Sequence, residues 1–216
     1  MKIERRCKRR ARIELRAENG RESVIIDGYV NVTGRDSRPI PDGKGGYFIE
    51  RINRGAFGKA LEKAEEVRAL LNHNWGREIG KTGANLTLKE DVIGLRAHAE
   101  FTDSEVINDA KAGKLRGWSF GMRNVTETRA ESENGIPVRN VTGFTLDEVS
   151  LINDKMKPWY ESTTVETRAG EDGEVTVELR AEEFEAEYVG FEDKKEPEKV
   201  DNSNLKEIIK KYGGNI

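Results

Sequence analysis

Cysteine is nearly absent from this chain, with Cys7 the only one in 216 residues. A lone thiol excludes an internal disulfide and any cysteine-based zinc cluster, and its basic surroundings argue against packing. Histidine is almost as scarce, so proton transfer near neutral pH has only His73 and His98 to draw on. Long apolar runs are missing as well: no stretch approaches the ~20 residues that cross a bilayer as a helix, and no secretory signal opens the chain. A soluble cytoplasmic protein without a membrane partner is the expectation. Neither sign of charge dominates, and a net charge of -3 argues against nucleic acid as the main partner. The basic block Lys2, Arg5, Arg6, Lys8, Arg9, Arg10 and Arg12 reads as a solvated arm. No metal and no cofactor is expected.

What is present is a hydrophilic chain, 35% apolar and 36% charged, long enough for one core plus a segment outside it. The composition shifts after Arg168. We therefore expect a folded unit over residues 1–168 and an acidic, flexible tail over 169–216. Near the end of that tail Leu205, Ile208, Ile209 and Tyr212 form one stripe of a short helix, closed by Gly213 and Gly214. At that length the helix needs a partner. It docks on the core, serves as a handle for a partner protein, or stays disordered.

Within the first unit the periodicity is mostly that of strands. Ala11–Arg16 alternates, Asn19-Gly20 signals a hairpin turn, and a second strand runs from Ser23 to Val32. Residues 33–47 read as a glycine- and proline-rich loop, and Phe48–Ile52 as extended chain. Phe57, Ala60, Leu61 and Ala64 predict a helix over 55–65. Val67–Asn74 reads as one apolar strand ending on His73, before a loop from Trp75 to Gly83. Strands follow at Leu86–Leu88 and Gly94–Phe101, where His98 falls on the polar face as a bystander. Asp103 and its neighbours cap a helix carrying Val106, Ile107 and Ala110, which Gly113 ends. Residues 123–140 read as strand, turn and return, and 158–168 as a last extended segment.

Two strands bear chemistry. In Leu115–Met122, Trp118, Phe120 and Met122 share an apolar face that anchors the strand, while Ser119 shares the other with Gly117 and Gly121. The small neighbours leave room for a substrate backbone, so Ser119 is expected to look onto a cleft as a nucleophile. By itself such a string is better read as a serine on a strand with glycine bulges. In Phe144–Ile152 strict alternation puts Leu146, Glu148, Ser150 and Ile152 on one face and Asp147, Val149 and Leu151 on the other. A carboxylate on a partly apolar face needs a partner, either a histidine ring N–H or a lysine or arginine.

The order Gly55-Ala56-Phe57, Leu71-Asn72-His73, Gly94-Leu95, Trp118-Ser119-Phe120-Gly121 and Glu148-Val149-Ser150-Leu151 resembles the prohead maturation proteases of tailed bacteriophages, over residues 12–168. That family is similar in fold to the herpesvirus assemblins. The resemblance implies a mostly β, α+β fold: an assemblin-like β barrel flanked by helices. It also implies a catalytic His73, Ser119 and Glu148, with Asp147 adjoining as the alternative third member. Acyl transfer to water through a serine ester would follow, with His73 moving the proton and Glu148 orienting the ring. Gly121 and the loop holding Lys155 and Lys157 are candidates for oxyanion donors.

The function so implied is a serine endopeptidase acting on major capsid and scaffold proteins inside the assembling prohead in the host cytoplasm, as a homo-oligomer. A catalytically inert assembly module on the same fold and a serine esterase on another fold are the competing readings. The tetrapeptide Glu-[Leu/Thr]-Arg-Ala recurs at Glu14–Ala17, Glu127–Ala130, Glu166–Ala169 and Glu178–Ala181. Its last copies predict self-cleavage near Arg168-Ala169 or Arg180-Ala181, with the copies at Arg16 and Arg129 protected by strand pairing.

Overall fold

The computed structural model describes residues 10–42, 44–131, 135–156, 164–170, 173–183 and 185–189. The basic block before Arg10, Cys7, Lys157 and the helix expected at Leu205–Tyr212 lie outside the described residues. In chain order the elements are β1 (Arg10–Glu18), β2 (Arg21–Val32), β3 (Ile40–Pro41), β4 (Tyr47–Ile52), α1 (Ala56–Lys63), β5 (Arg68–Leu71), β6 (Asn74–Lys81), β7 (Leu86–Glu90) and β8 (Gly94–Phe101). They continue with α2 (Ser104–Lys111), β9 (Leu115–Glu131), β10 (Pro137–Asn153), β11 (Thr164–Gly170), β12 (Gly173–Glu183) and β13 (Glu185–Val189).

Among the described residues the fold is mostly β with two short helices, as expected. One sheet has the order β13-β1-β2-β8-β7. The other runs β11-β12-β9-β10-β4-β3, with β5 also on β10 and β6 on β5. Two sheets are thus seen among the described residues, and the closure into a barrel that the resemblance implied is not. Residue 168, where the first unit was expected to end, falls inside β11, and β11, β12 and β13 each pair into the sheets.

The long antiparallel pair β9–β10 is the spine. Trp118, Phe120 and Met122 enter the core fully buried, as their alternation requires. Phe57 of α1 meets Phe120 and Phe144 edge to face, at centroid separations of 5.0 and 5.1 Å, which clamps the helix to the spine. The same helix receives a carboxylate from β7: Glu90 accepts from the N–H groups of Gly55 and Gly58 at 2.8 and 2.6 Å. These donors have no intrahelical acceptor in a first turn. Asp103 caps α2 by accepting from Glu105 and Val106 N–H, and Gly113, at φ 65°, takes the left-handed conformation past its end.

Several expected segments differ: the loop over residues 33–47 contains β3, and Val67–Asn74 is split between β5 and β6. Trp75–Lys81 is not a loop but most of β6, paired with β5. Its polar side chains and two glycines hide a strand that is held by its neighbour's backbone. The strict alternation through Phe144–Ile152 also breaks, because the register with β9 shifts between Leu146 and Glu148 and leaves Asp147 as the extra residue of a bulge. Phe144 and Leu146 point to the core before the bulge, and Val149 and Leu151 after it. A one-residue insertion inverts which face each later side chain takes. Leu146 and Glu148 therefore do not share a face.

Candidate active site

The bulge at Asp147 turns Glu148 and Ser150 away from the core and toward the strand face that carries Ser119, which lies directly opposite Ser150 in the ladder. On the far side of β10, β5 runs parallel, its Leu71 level with Leu151. The chain then reverses through Asn72 and His73 alone, since Leu71 already pairs with Asn74 of β6. Both turn residues have positive φ, 55° and 56°. Consecutive positive φ values mark a two-residue hairpin turn of the type that favours Asn-Gly. Asparagine fits the first position. Histidine in the left-handed region costs about 1 to 3 kcal/mol, which the surroundings must offset.

They do so with a dense set of bonds. Asn72 N–H donates to the Leu151 carbonyl at 2.9 Å, and His73 N–H to Ser150 Oγ at 3.1 Å. Asn72 and Asn153 exchange two further bonds, and Asn153 Nδ2 donates to Asp109 Oδ2 on α2 at 2.7 Å. Asn153 Oδ1 also accepts from Lys155 N–H at 3.1 Å. Asp109 and Asn153 are buried, so each bond counts in a low-dielectric setting.

Held in this way, the His73 ring bridges two strands. Nδ1 is 2.8 Å from Glu148 Oε1, and Nε2 is 2.7 Å from Ser119 Oγ. The tautomer protonated on Nδ1 satisfies both contacts: Nδ1–H donates to the carboxylate and the serine hydroxyl donates to Nε2. Ser150 Oγ donates to the second oxygen, Glu148 Oε2, at 2.6 Å. All four side chains are buried. A carboxylate without solvent is tolerated here because each oxygen has a donor. The constellation can move a proton from the serine to the imidazole and stabilise the imidazolium that results.

The sequence model of the caudovirus prohead serine protease family matches residues 11–176 of the chain. This chain belongs to that family. No curated protein and no solved structure matches it.

In this member of the prohead protease family, then, His73, Ser119 and Glu148 are brought together. Asp147, the alternative carboxylate, is not part of the cluster: it faces Arg123, whose Nη2 donates to Asp147 Oδ1 at 2.9 Å. His98 lies on β8 with its side chain 55% exposed, 3.2 Å from Asp27. Lys155, one of the candidate oxyanion donors, is bonded to Glu105, which lowers the pKa of that carboxylate and raises that of the amine. Gly121 sits within the ladder, opposite Glu148 on one side and Leu179 on the other.

The cleft expected over Ser119 is closed: the residue has 0% of its surface exposed. A depression of about 600 Å³ lined by Arg16, Arg21, Glu22 and Glu100 lies elsewhere and contains none of the site residues.

Ser150, Asn153 and Asp109 were not singled out from the sequence for this site. The one local clue was Asn72 directly before His73, a turn-favouring residue after an apolar strand. It was masked because the second turn position holds histidine rather than glycine.

Proposed function

We propose that this chain is a serine endopeptidase that cuts capsid or scaffold proteins during phage head maturation, with Ser119 as nucleophile, His73 as general base and acid, and Glu148 as the orienting carboxylate. The observation that carries this reading is the continuous row Glu148 Oε1, His73 Nδ1, His73 Nε2 and Ser119 Oγ, joined at 2.8 and 2.7 Å in a chain of the prohead serine protease family.

As Ser119 Oγ attacks the scissile carbonyl carbon, its proton passes to His73 Nε2. The tetrahedral adduct collapses, the C–N bond breaks, and the same proton goes to the leaving amine. Water then attacks the acyl ester by the reverse route, giving the carboxylate product and the free serine. General acid-base transfer of this kind contributes ~10² to 10⁴ in rate. Gly121 N–H and the Lys155 loop are the candidate donors for the developing oxyanion. The enzyme works in the assembling prohead in the host cytoplasm, as a homo-oligomer. Confinement there raises effective concentration steeply, so activity is weak in dilute solution. Self-cleavage near Arg168-Ala169 or Arg180-Ala181 belongs to the same reading.

One observation favours the inert assembly module instead, namely the burial of Ser119. The two readings separate in a single experiment: the masses of the concentrated protein and of an added capsid or scaffold protein, followed over time beside Ser119→Ala, His73→Ala and His98→Ala. Shortening in the parent and in His98→Ala alone supports the protease. No shortening anywhere supports the module. A dead His98→Ala beside a live His73→Ala reverses the histidine assignment.

A further inference from the structure

Ser119 is sealed although its partners are already in bonding geometry. A protease in this state has to uncover the nucleophile before any substrate reaches it, which raises the question of which neighbour gives way. β9 has a strand on either side around Ser119: β10, with Ser150 opposite, and β12, with Ala181 opposite. β10 carries Glu148 and Ser150, so its departure would dismantle the site. The departure of β12 would leave His73, Glu148, Ser150 and Ser119 where they are.

β12 meets β9 along the stretch that carries Ser119. It runs antiparallel to β9 with Arg180 opposite Phe120, Ala181 opposite Ser119 and Glu182 opposite Trp118. Extended peptides are commonly bound by adding a strand to a sheet edge, where main-chain bonds supply affinity and alternate side chains supply selectivity. The composition of the segment suits a removable strand. Glu178, Arg180, Glu182 and Glu183 are charged and only Leu179 and Ala181 are apolar, whereas strands held by packing are rich in β-branched and aromatic residues. The same stretch contains one copy of the recurring Glu-[Leu/Thr]-Arg-Ala string, for which the catalytic cluster has no other use.

We propose that the β9 edge along Gly117–Met122 is the peptide-binding site of this protein and that Glu178–Glu183 is its built-in occupant, which a substrate strand displaces. This rests on the serine protease reading. The ligand class is an extended peptide with a small residue opposite Ser119, an arginine before it and acidic residues on both sides. Because the occupant is tethered, it competes at high effective concentration and keeps the site closed against dilute chains.

The test uses the full chain and a fluorophosphonate, which esterifies an activated serine, with Ser119→Ala as the blank. Leu179→Pro combined with Arg180→Pro removes a ladder donor whichever of the two N–H groups faces β9. Ser119 is expected to be labelled at least about 10-fold faster in this variant, with an excess of the peptide Val-Glu-Leu-Arg-Ala-Glu-Glu returning the rate toward the parental one. Equal rates in parent and variant, or no slowing by the peptide, overturn the proposal. If circular dichroism shows that the proline variant does not fold, Leu179→Gly with Arg180→Gly decides. It weakens the strand without removing a donor, so faster labelling supports the occupant and a parental rate overturns it. Parent and variant both at the level of the blank would instead sink the protease reading on which the inference stands.

Discussion

Asn72 and Asn153 hold each other between the turn after β5 and the end of β10: Nδ2 of Asn72 donates to Oδ1 of Asn153 at 2.7 Å, and N–H of Asn153 donates back to Oδ1 of Asn72 at 3.0 Å. The bond from Asn153 to Asp109 extends this clasp to α2. Asn153→Ala keeps the backbone N–H bond but removes the acceptor of Asn72 Nδ2 and leaves the buried Asp109 carboxylate without that donor. We expect a stability loss of about 1 to 3 kcal/mol. Because small misplacements of a catalytic group are expensive, kcat should fall about 10²-fold with KM little changed. Steady-state kinetics on a peptide substrate checks this, and an unchanged kcat would mean that the turn holds itself.

Ser150 Oγ accepts the His73 N–H and donates to Glu148. Ser150→Ala leaves a buried donor and a carboxylate oxygen without those partners, which predicts a loss of about 1 to 3 kcal/mol in urea denaturation, together with lower activity. Ser150→Thr keeps the hydroxyl and should recover much of both.

The neighbouring carboxylates should respond oppositely. Glu148→Gln is expected to lower kcat/KM by about 10² to 10⁴, since the imidazolium loses its charged partner. Asp147→Asn, which disturbs only the pair with Arg123 at the bulge, should stay within about 2-fold, as suits a half-exposed ion pair. A silent Glu148 variant beside a damaged Asp147 variant would transfer the third role to Asp147.

Phe57 joins α1 to both long strands through Phe120 and Phe144. Phe57→Ala should cost about 3 to 5 kcal/mol, read from the denaturation midpoint at constant m-value. A loss below about 1 kcal/mol would mean that the helix is not anchored there.

Much of the strand content was legible because it obeys a period of two. The anchoring face Trp118, Phe120 and Met122 follows from alternation alone, and the α2 boundaries follow from Asp103 and Gly113. The turn at Asn72-His73 was not legible: Val67–Asn74 reads as one strand because its apolar residues continue to the reversal and nothing small occupies the second turn position. β6 was missed for the opposite reason, since a strand paired mainly through its backbone needs no apolar pattern. The copies of the recurring tetrapeptide at Arg168 and Arg180 also lie in strands, as do those at Arg16 and Arg129, so strand pairing does not separate them.

The sequence by itself determined that this is a strand-rich chain with two histidines, one serine framed by glycines on a well-anchored strand, and two adjacent carboxylates on another. These properties are local, set by side-chain type and spacing. Which carboxylate meets His73 was decided only by the tertiary structure, because the bulge at Asp147 inverts the facing of every residue after it, and a register shift exists only between paired strands. The closure of Ser119 was decided there too. The pairing of Ala181 with Ser119 belongs there as well, since no periodicity within either segment specifies its neighbour in a sheet.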